Sequence, residues 1–221
     1  PSVRVVLEAL SLLRRRYADH VAVIGKVMGP WTLSYHVAGV EDFLASIILA
    51  PDDVRRYLDV LKEVTIMFAR AQARAGADAV VVADHATGDL ISPKTYRDFL
   101  LPIHREIVSR VGCPMILHIC GDNTDRLDYF VQAGFDGYHF ESKVDAVTAV
   151  ETVRGRMCLI GNINNPSTLL YGTPETVRAE AKAAILAGVD ILAPECAVPL
   201  KVPVANLRAI TEAAEEAAGC T

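Results

Sequence analysis

His118 and Cys120 stand two residues apart in the run PMILHICGD, Pro114 to Asp122. On a β-strand that spacing sends both side chains to one side, offering an imidazole nitrogen and a thiol sulfur together. Alone, the pair is ambiguous, because a hydrogen-bonded polar pair beside a loop reads the same way. Cys196 follows the β-branched run Ile191–Ala193, and Glu141 follows Gly137–Phe140. If strand ends converge, the set becomes one nitrogen, two sulfurs and a carboxylate. Borderline-soft donors of this kind favour Zn2+ in tetrahedral geometry, and a catalytic zinc keeps one exchangeable position. Three firm ligands, His118, Cys120 and Cys196, with Glu141 as a displaceable fourth, meet that requirement. Two thiolates make such an ion a weak acid toward water, yet able to hold a substrate thiol deprotonated at neutral pH.

The elements that must position these residues alternate along the chain. Short strands are expected at His20–Met28, Ala79–Ala83, Met115–Ile119, Gly137–Phe140, Met157–Ile160 and Ile191–Ala193. Helical patterns separate them, at about 41–50, 52–75, 93–111, 123–133, 145–153, 174–187 and 203–218. Ser92-Pro93 and Thr173-Pro174 read as helix starts, a capping hydroxyl followed by Pro in the first turn. Ala-Gly-x-Asp recurs at 75–78, 133–136 and 187–190, each time as a glycine-terminated helix turning into a strand. Alternating β and α implies parallel strands with right-handed crossovers. No Gly-rich phosphate loop announces an open doubly wound sheet. The expected fold is therefore an α/β, TIM-type (βα)8 barrel formed by a single domain, residues 1–221. Its active site would lie at the C-terminal strand ends, where a closed barrel brings Cys196 across the mouth toward His118 and Cys120. Six βα units are visible where a barrel has eight and about 250 residues, so about the first two units are expected to be lacking.

Other strand-end residues are weaker candidates. Asp84 and His85 are placed to orient a substrate or its anionic tail, with structural hydrogen bonding as the equal alternative. Asn162 and Asn164 either shape the mouth or satisfy turn backbone. His139 shares a strand face with Glu141 and could brace the site, although a packing role is the plainer reading. His20, His36 and His104 have no partner pattern.

Composition narrows the function classes. Of 221 residues, 52% are hydrophobic and 22% charged, which excludes a disordered or fibrous chain. The net charge of −5, with no basic tail, argues against nucleic acid or an anionic membrane as partner. No apolar run reaches the length of a membrane span. Five cysteines at irregular spacing make a poor disulfide framework and point to reduced thiols and a cytoplasmic location. Cys113 and Cys158 are expected to be buried, and Cys220 inert.

Four stretches carry a more specific signal: PMILHICGD, GYHFESKVDA at 137–146, GNIN at 161–164 and PEC at 194–196. They resemble the zinc-dependent corrinoid:thiol methyltransferases, which include the methylcobamide:coenzyme M enzymes, within the uroporphyrinogen decarboxylase superfamily of (βα)8 barrels. Gly29-Pro30-Trp31-Thr32 and Asp89-Leu90-Ile91-Ser92-Pro93 are similar to superfamily signatures. The resemblance implies that His118, Cys120 and Cys196 bind zinc, with Glu141 filling the fourth position until a thiol arrives. It implies methyl transfer from a methylated corrinoid, carried by a separate corrinoid protein, to a small thiol such as coenzyme M. A homo-oligomer is compatible with it. Two alternatives share the fold: a metal-free, uroporphyrinogen decarboxylase-like lyase, and a non-catalytic partner of the corrinoid protein.

Overall fold

The structure, a computed structural model, describes residues 2–18 and 20–219; Cys220 and the expectation attached to it lie outside the described residues. Parallel strands alternate with helices, as the sequence predicts. The chain forms two compact units. One holds the chain through Ala86 with Leu90–His118 and Gln132–Asp136; the other holds Thr87–Asp89, Ile119–Val131 and the chain from Gly137 on.

In the first unit the order is α1 (Ser2–Tyr17), β1 (Ile24–Met28), α2 (Pro30–Ala38), α3 (Val40–Leu49), α4 (Pro51–Arg74), β2 (Ala79–Ala83), α5 (Pro93–Thr95), α6 (Leu101–Val111) and β3 (Met115–His118). The strands run side by side in chain order, with Lys26 beside Val81 and Val82 beside Leu117. Val80, Val82 and Leu117 on the strands and Leu58, Ile66 and Ile107 on the helices are fully buried. Three expectations change. β1 starts four residues late, because His20 and Val21 fold back onto Tyr17 O in a turn. Pro30–Ala38, for which no element is expected, is helical, with Pro30 opening the first turn. The helical pattern at 93–111 is interrupted by a π-helical turn, Tyr96–Leu100.

In the second unit a 3-10 turn, Thr124–Arg126, leads into α7 (Leu127–Ala133). Then follow β4 (Gly137–His139), α8 (Ala146–Val153), β5 (Cys158–Ile163), a π-helical turn (Asn165–Leu170), α9 (Pro174–Ala187), β6 (Ile191–Pro194) and α10 (Val204–Ala217). Ile163, Leu169, Val177, Ala181, Ala209 and Ala213 close the core where α9 and α10 cover β5. Thr173 caps α9 in a reciprocal box with Thr176.

The recurrent Ala-Gly-x-Asp motif explains the register. Gly76, Gly134 and Gly188 have φ of +111°, +86° and +97°, a conformation that glycine enters without a side-chain clash. The Asp that follows then bonds to the preceding strand twice. The backbone N of Asp78, Asp136 and Asp190 donates to Val23, Met115 and Leu159 O. Their carboxylates accept from the N–H groups of the same three residues at 2.7, 2.8 and 2.7 Å. Each new strand is thereby locked one residue-pair deep before the ladder begins.

Candidate metal centre

Three donor atoms converge. One ligand atom each from His118, Cys120 and Cys196 lies within 4.8 Å of the others, and Cys120 Sγ is 3.5 Å from Cys196 Sγ. Two sulfurs bound tetrahedrally at 2.3 Å lie about 3.8 Å apart, so the thiol pair already has nearly the spacing a zinc ion would impose. His118 closes β3 and is 8% exposed; both cysteines are half-buried.

The loop that carries Cys120 is fixed from beneath. The Asn123 side-chain nitrogen faces the carbonyl oxygens of Ile119, Cys120 and Gly121 at 3.1, 3.0 and 3.1 Å. Gly121 has φ +86°, and a Cβ there would sit 2.2 Å from Thr87 Oγ1, so only glycine permits the turn. Tyr138, wholly buried, approaches the Asn123 amide at 3.3 Å, and burial raises its phenol well above the usual value.

The electrostatics are one-sided. Cys196 beside it, burial, and the Glu141 carboxylate, which also hydrogen-bonds to it, all push the Cys120 thiol up. Neighbouring acids resist ionising together until a cation arrives. The donor set therefore fits a divalent metal by spacing and by chemistry.

Cys196 is braced by Glu195 and Asn165, which sequence patterning did not single out, and by His139, which it did. Glu195, 7% exposed, accepts from Ser142 N at 2.9 Å, Ser142 Oγ at 2.5 Å and Asn165 N at 2.8 Å. Asn165 Nδ2 donates to Ala197 O at 2.9 Å, and His139 Nε2 lies 2.7 Å from Pro194 O. Among the described residues, the buried side-chain oxygens lacking a hydrogen-bond partner are Asn123 Oδ1 and Asn165 Oδ1, one beneath each cysteine loop. For Glu195 the only early signal was its position in the PEC triplet.

The weaker candidates make contacts of their own, and the Asp84 backbone N donates to His118 O at 3.0 Å. Asp84 is fully buried and accepts from Thr32 N at 2.7 Å and Trp31 N at 3.4 Å, at the start of α2. His104 Nε2 meets it at 3.0 Å, and Tyr96 OH lies 2.8 Å from His104 Nδ1. His85 is exposed, its backbone N donating to Thr32 Oγ1. Asn162 is buried, with its amide 3.4 Å from Val144 O. Cys113 and Cys158 are half-buried rather than buried, and no disulfide occurs among the described residues. Among those residues no helix is long and apolar enough to cross a membrane.

A parallel α/β chain with a His-Cys-Cys cluster at its strand ends has clear relatives. The uroporphyrinogen decarboxylase (URO-D) family pattern matches residues 1–217, and the chain belongs to that family. It is 36% identical to the methylcobamide:CoM methyltransferase MtaA of Methanosarcina barkeri, over 97% of this chain and 64% of the relative. It is 34% identical to a methylated-thiol–coenzyme M methyltransferase of Methanosarcina mazei, over 97% of this chain and 58% of the relative. A solved methyltransferase from Methanosarcina mazei superimposes with a TM-score of 0.94 at 34% identity, over 97% of this chain and 64% of that one. The resemblance to corrinoid:thiol methyltransferases read from the motifs thus holds, and the chain spans less than two-thirds of the length of these relatives.

Proposed function

We propose that residues 1–221 form the catalytic part of a methyltransferase that moves a methyl group from a methylated corrinoid to a thiol such as coenzyme M. The six βα units are read as part of an eight-unit TIM-type barrel. The observation that carries the proposal is the convergence of one nitrogen and two sulfur donors within 4.8 Å, on a chain whose relatives are named for this reaction.

His118, Cys120 and Cys196 would hold a zinc ion, with Glu141 as the displaceable fourth ligand. When bound, the zinc supplies Lewis acidity that keeps a substrate thiol deprotonated at neutral pH. Glu141, already hydrogen-bonded at Cys120, is the group placed to give way to the incoming thiol and to accept its proton. The substrate sulfur attacks the methyl carbon in line with the cobalt–carbon bond. A carbon–sulfur bond forms, the cobalt–carbon bond breaks with both electrons left on cobalt, and the thiol proton goes to Glu141 or water. The products are a methyl thioether and Co(I) corrinoid. The corrinoid arrives on a separate protein, and the buried Asn123 keeps the Cys120 loop rigid while it docks.

Two measurements on the purified chain test this reading: metal content by mass spectrometry, and demethylation of free methylcobalamin in the presence of coenzyme M. Stoichiometric zinc with thiol-dependent demethylation is the expected result. A metal-free chain would favour the lyase, and zinc without demethylation would favour the inert partner.

A further inference from the structure

Glu195 is a buried carboxylate to which the proposed chemistry gives no role. Three donors from two other segments face it: Ser142 N and Oγ, directly after Glu141, and Asn165 N, at the opening of the π-helical turn. Its own backbone N donates to Ile163 O at 2.9 Å, so it is anchored to β5 from below. Ser142 Oγ is held in turn by Asn164 Nδ2 at 2.9 Å. A side chain at position 195 therefore ties together the residue after Glu141, the residue after Asn164 and the residue before Cys196. An acceptor-only group suits that place, because every polar neighbour named here donates. Hydrogen bonds to a carboxylate are roughly twice as strong as neutral ones.

We infer that Glu195 is a positioning residue of the metal centre: it fixes the separation between the Glu141 oxygen and the Cys196 sulfur, and so sets metal affinity and ligand geometry. Outer-shell partners of metal ligands typically change affinity by about 10–100-fold when removed. Glu195→Gln replaces one acceptor with an NH2 that opposes the Ser142 N–H, loosening the Glu141 segment while leaving Asn165 N satisfied.

This inference rests on the metal reading above, and the test separates the two. Full-length wild type, E195Q and S142A are titrated with Zn2+ against a competing chelator, and with Co2+ while its sulfur-to-metal charge-transfer and ligand-field bands are recorded. Circular dichroism follows the fold of each apo protein. Expected are tight binding by wild type, at least about 10-fold weaker binding with altered Co2+ bands for E195Q, and a smaller loss of about 3-fold for S142A, which loses only the hydroxyl. If E195Q does not fold, S142A carries the test alone. Affinity and Co2+ bands unchanged from wild type in the folded variants would overturn the bracket while leaving the metal reading intact. A wild-type chain that binds neither ion overturns both.

Discussion

Two strand ends of this chain carry polar clusters, one buried and one half-buried, and they are composed in opposite ways. At the end of β2, Asp84, His104 and Tyr96 form a chain in which acceptors meet donors. The carboxylate takes two backbone N–H groups and faces one imidazole nitrogen, and the other imidazole nitrogen faces a phenol. Both ring nitrogens of His104 thus have a partner. Around Cys120 and Cys196, by contrast, acids crowd together: two thiols and Glu141 press on one another and push the Cys120 thiol up. The first cluster pairs donors with acceptors, whereas the second gathers acids and soft donors, a set whose chemistry suits a cation. The difference separates a structural polar core from a binding site more sharply than burial does, since Asp84 is more deeply buried than His118.

Cys196→Ser attacks the second cluster with the largest expected effect. It should take zinc content from stoichiometric to trace and abolish thiol methylation, measured by metal analysis and methylcobalamin turnover; full zinc and full activity would dissolve the distinction. Metal removal comes next. A ligand present at a thousand times its Kd stabilises the folded state by about 4 kcal/mol, or roughly 10 °C in a chain of this size. A chelator should therefore lower the wild-type melting temperature and leave that of Cys196→Ser where it is. Asp84→Ala, in the first cluster, should do the reverse. It leaves two backbone donors and one imidazole nitrogen without their acceptor, a loss of at least about 3 kcal/mol in urea unfolding. Zinc bound per folded chain should not change. A loss of zinc in Asp84→Ala would break the comparison from the other side.

The sequence shows these two clusters unequally. The grouping of His118, Cys120 and Cys196 was legible because ligand chemistry restricts residue type; strand alternation does not carry it, since β3 ends at His118 and Cys120 stands in the loop beyond. The alternating parallel fold was legible because Ala-Gly-x-Asp marks the same helix-to-strand turn three times. Asp84 was seen, with structural hydrogen bonding as one of its two readings, but its partner His104, twenty residues on, has no pattern of its own. Glu195 was hidden because it lies in the bend just after β6, where no period shows that its carboxylate meets Ser142 and Asn165. Helix α2 was missed because Gly-Pro-Trp-Thr follows a strand directly, and what completes its first turn is the distant Asp84 carboxylate. The π-helical turns leave no period in the sequence at all.

The smallest predicted effect tests whether the Asp84 cluster acts as one unit. Tyr96→Phe removes only the hydroxyl that faces His104 Nδ1 and keeps the ring that packs against the imidazole edge-on at 5.6 Å. Taken alone, the loss is one buried hydrogen bond, about 1 kcal/mol. If the three groups are coupled, the orphaned Nδ1 also weakens the hold of His104 on Asp84, and the two losses overlap. Urea unfolding of Tyr96→Phe, Asp84→Ala and the double variant measures this as an interaction energy. The double variant should be destabilised by at least about 0.5 kcal/mol less than the sum of the single variants. Strict additivity would mean that the phenol and the carboxylate serve His104 independently, and that the cluster is a sum of contacts rather than a closed network.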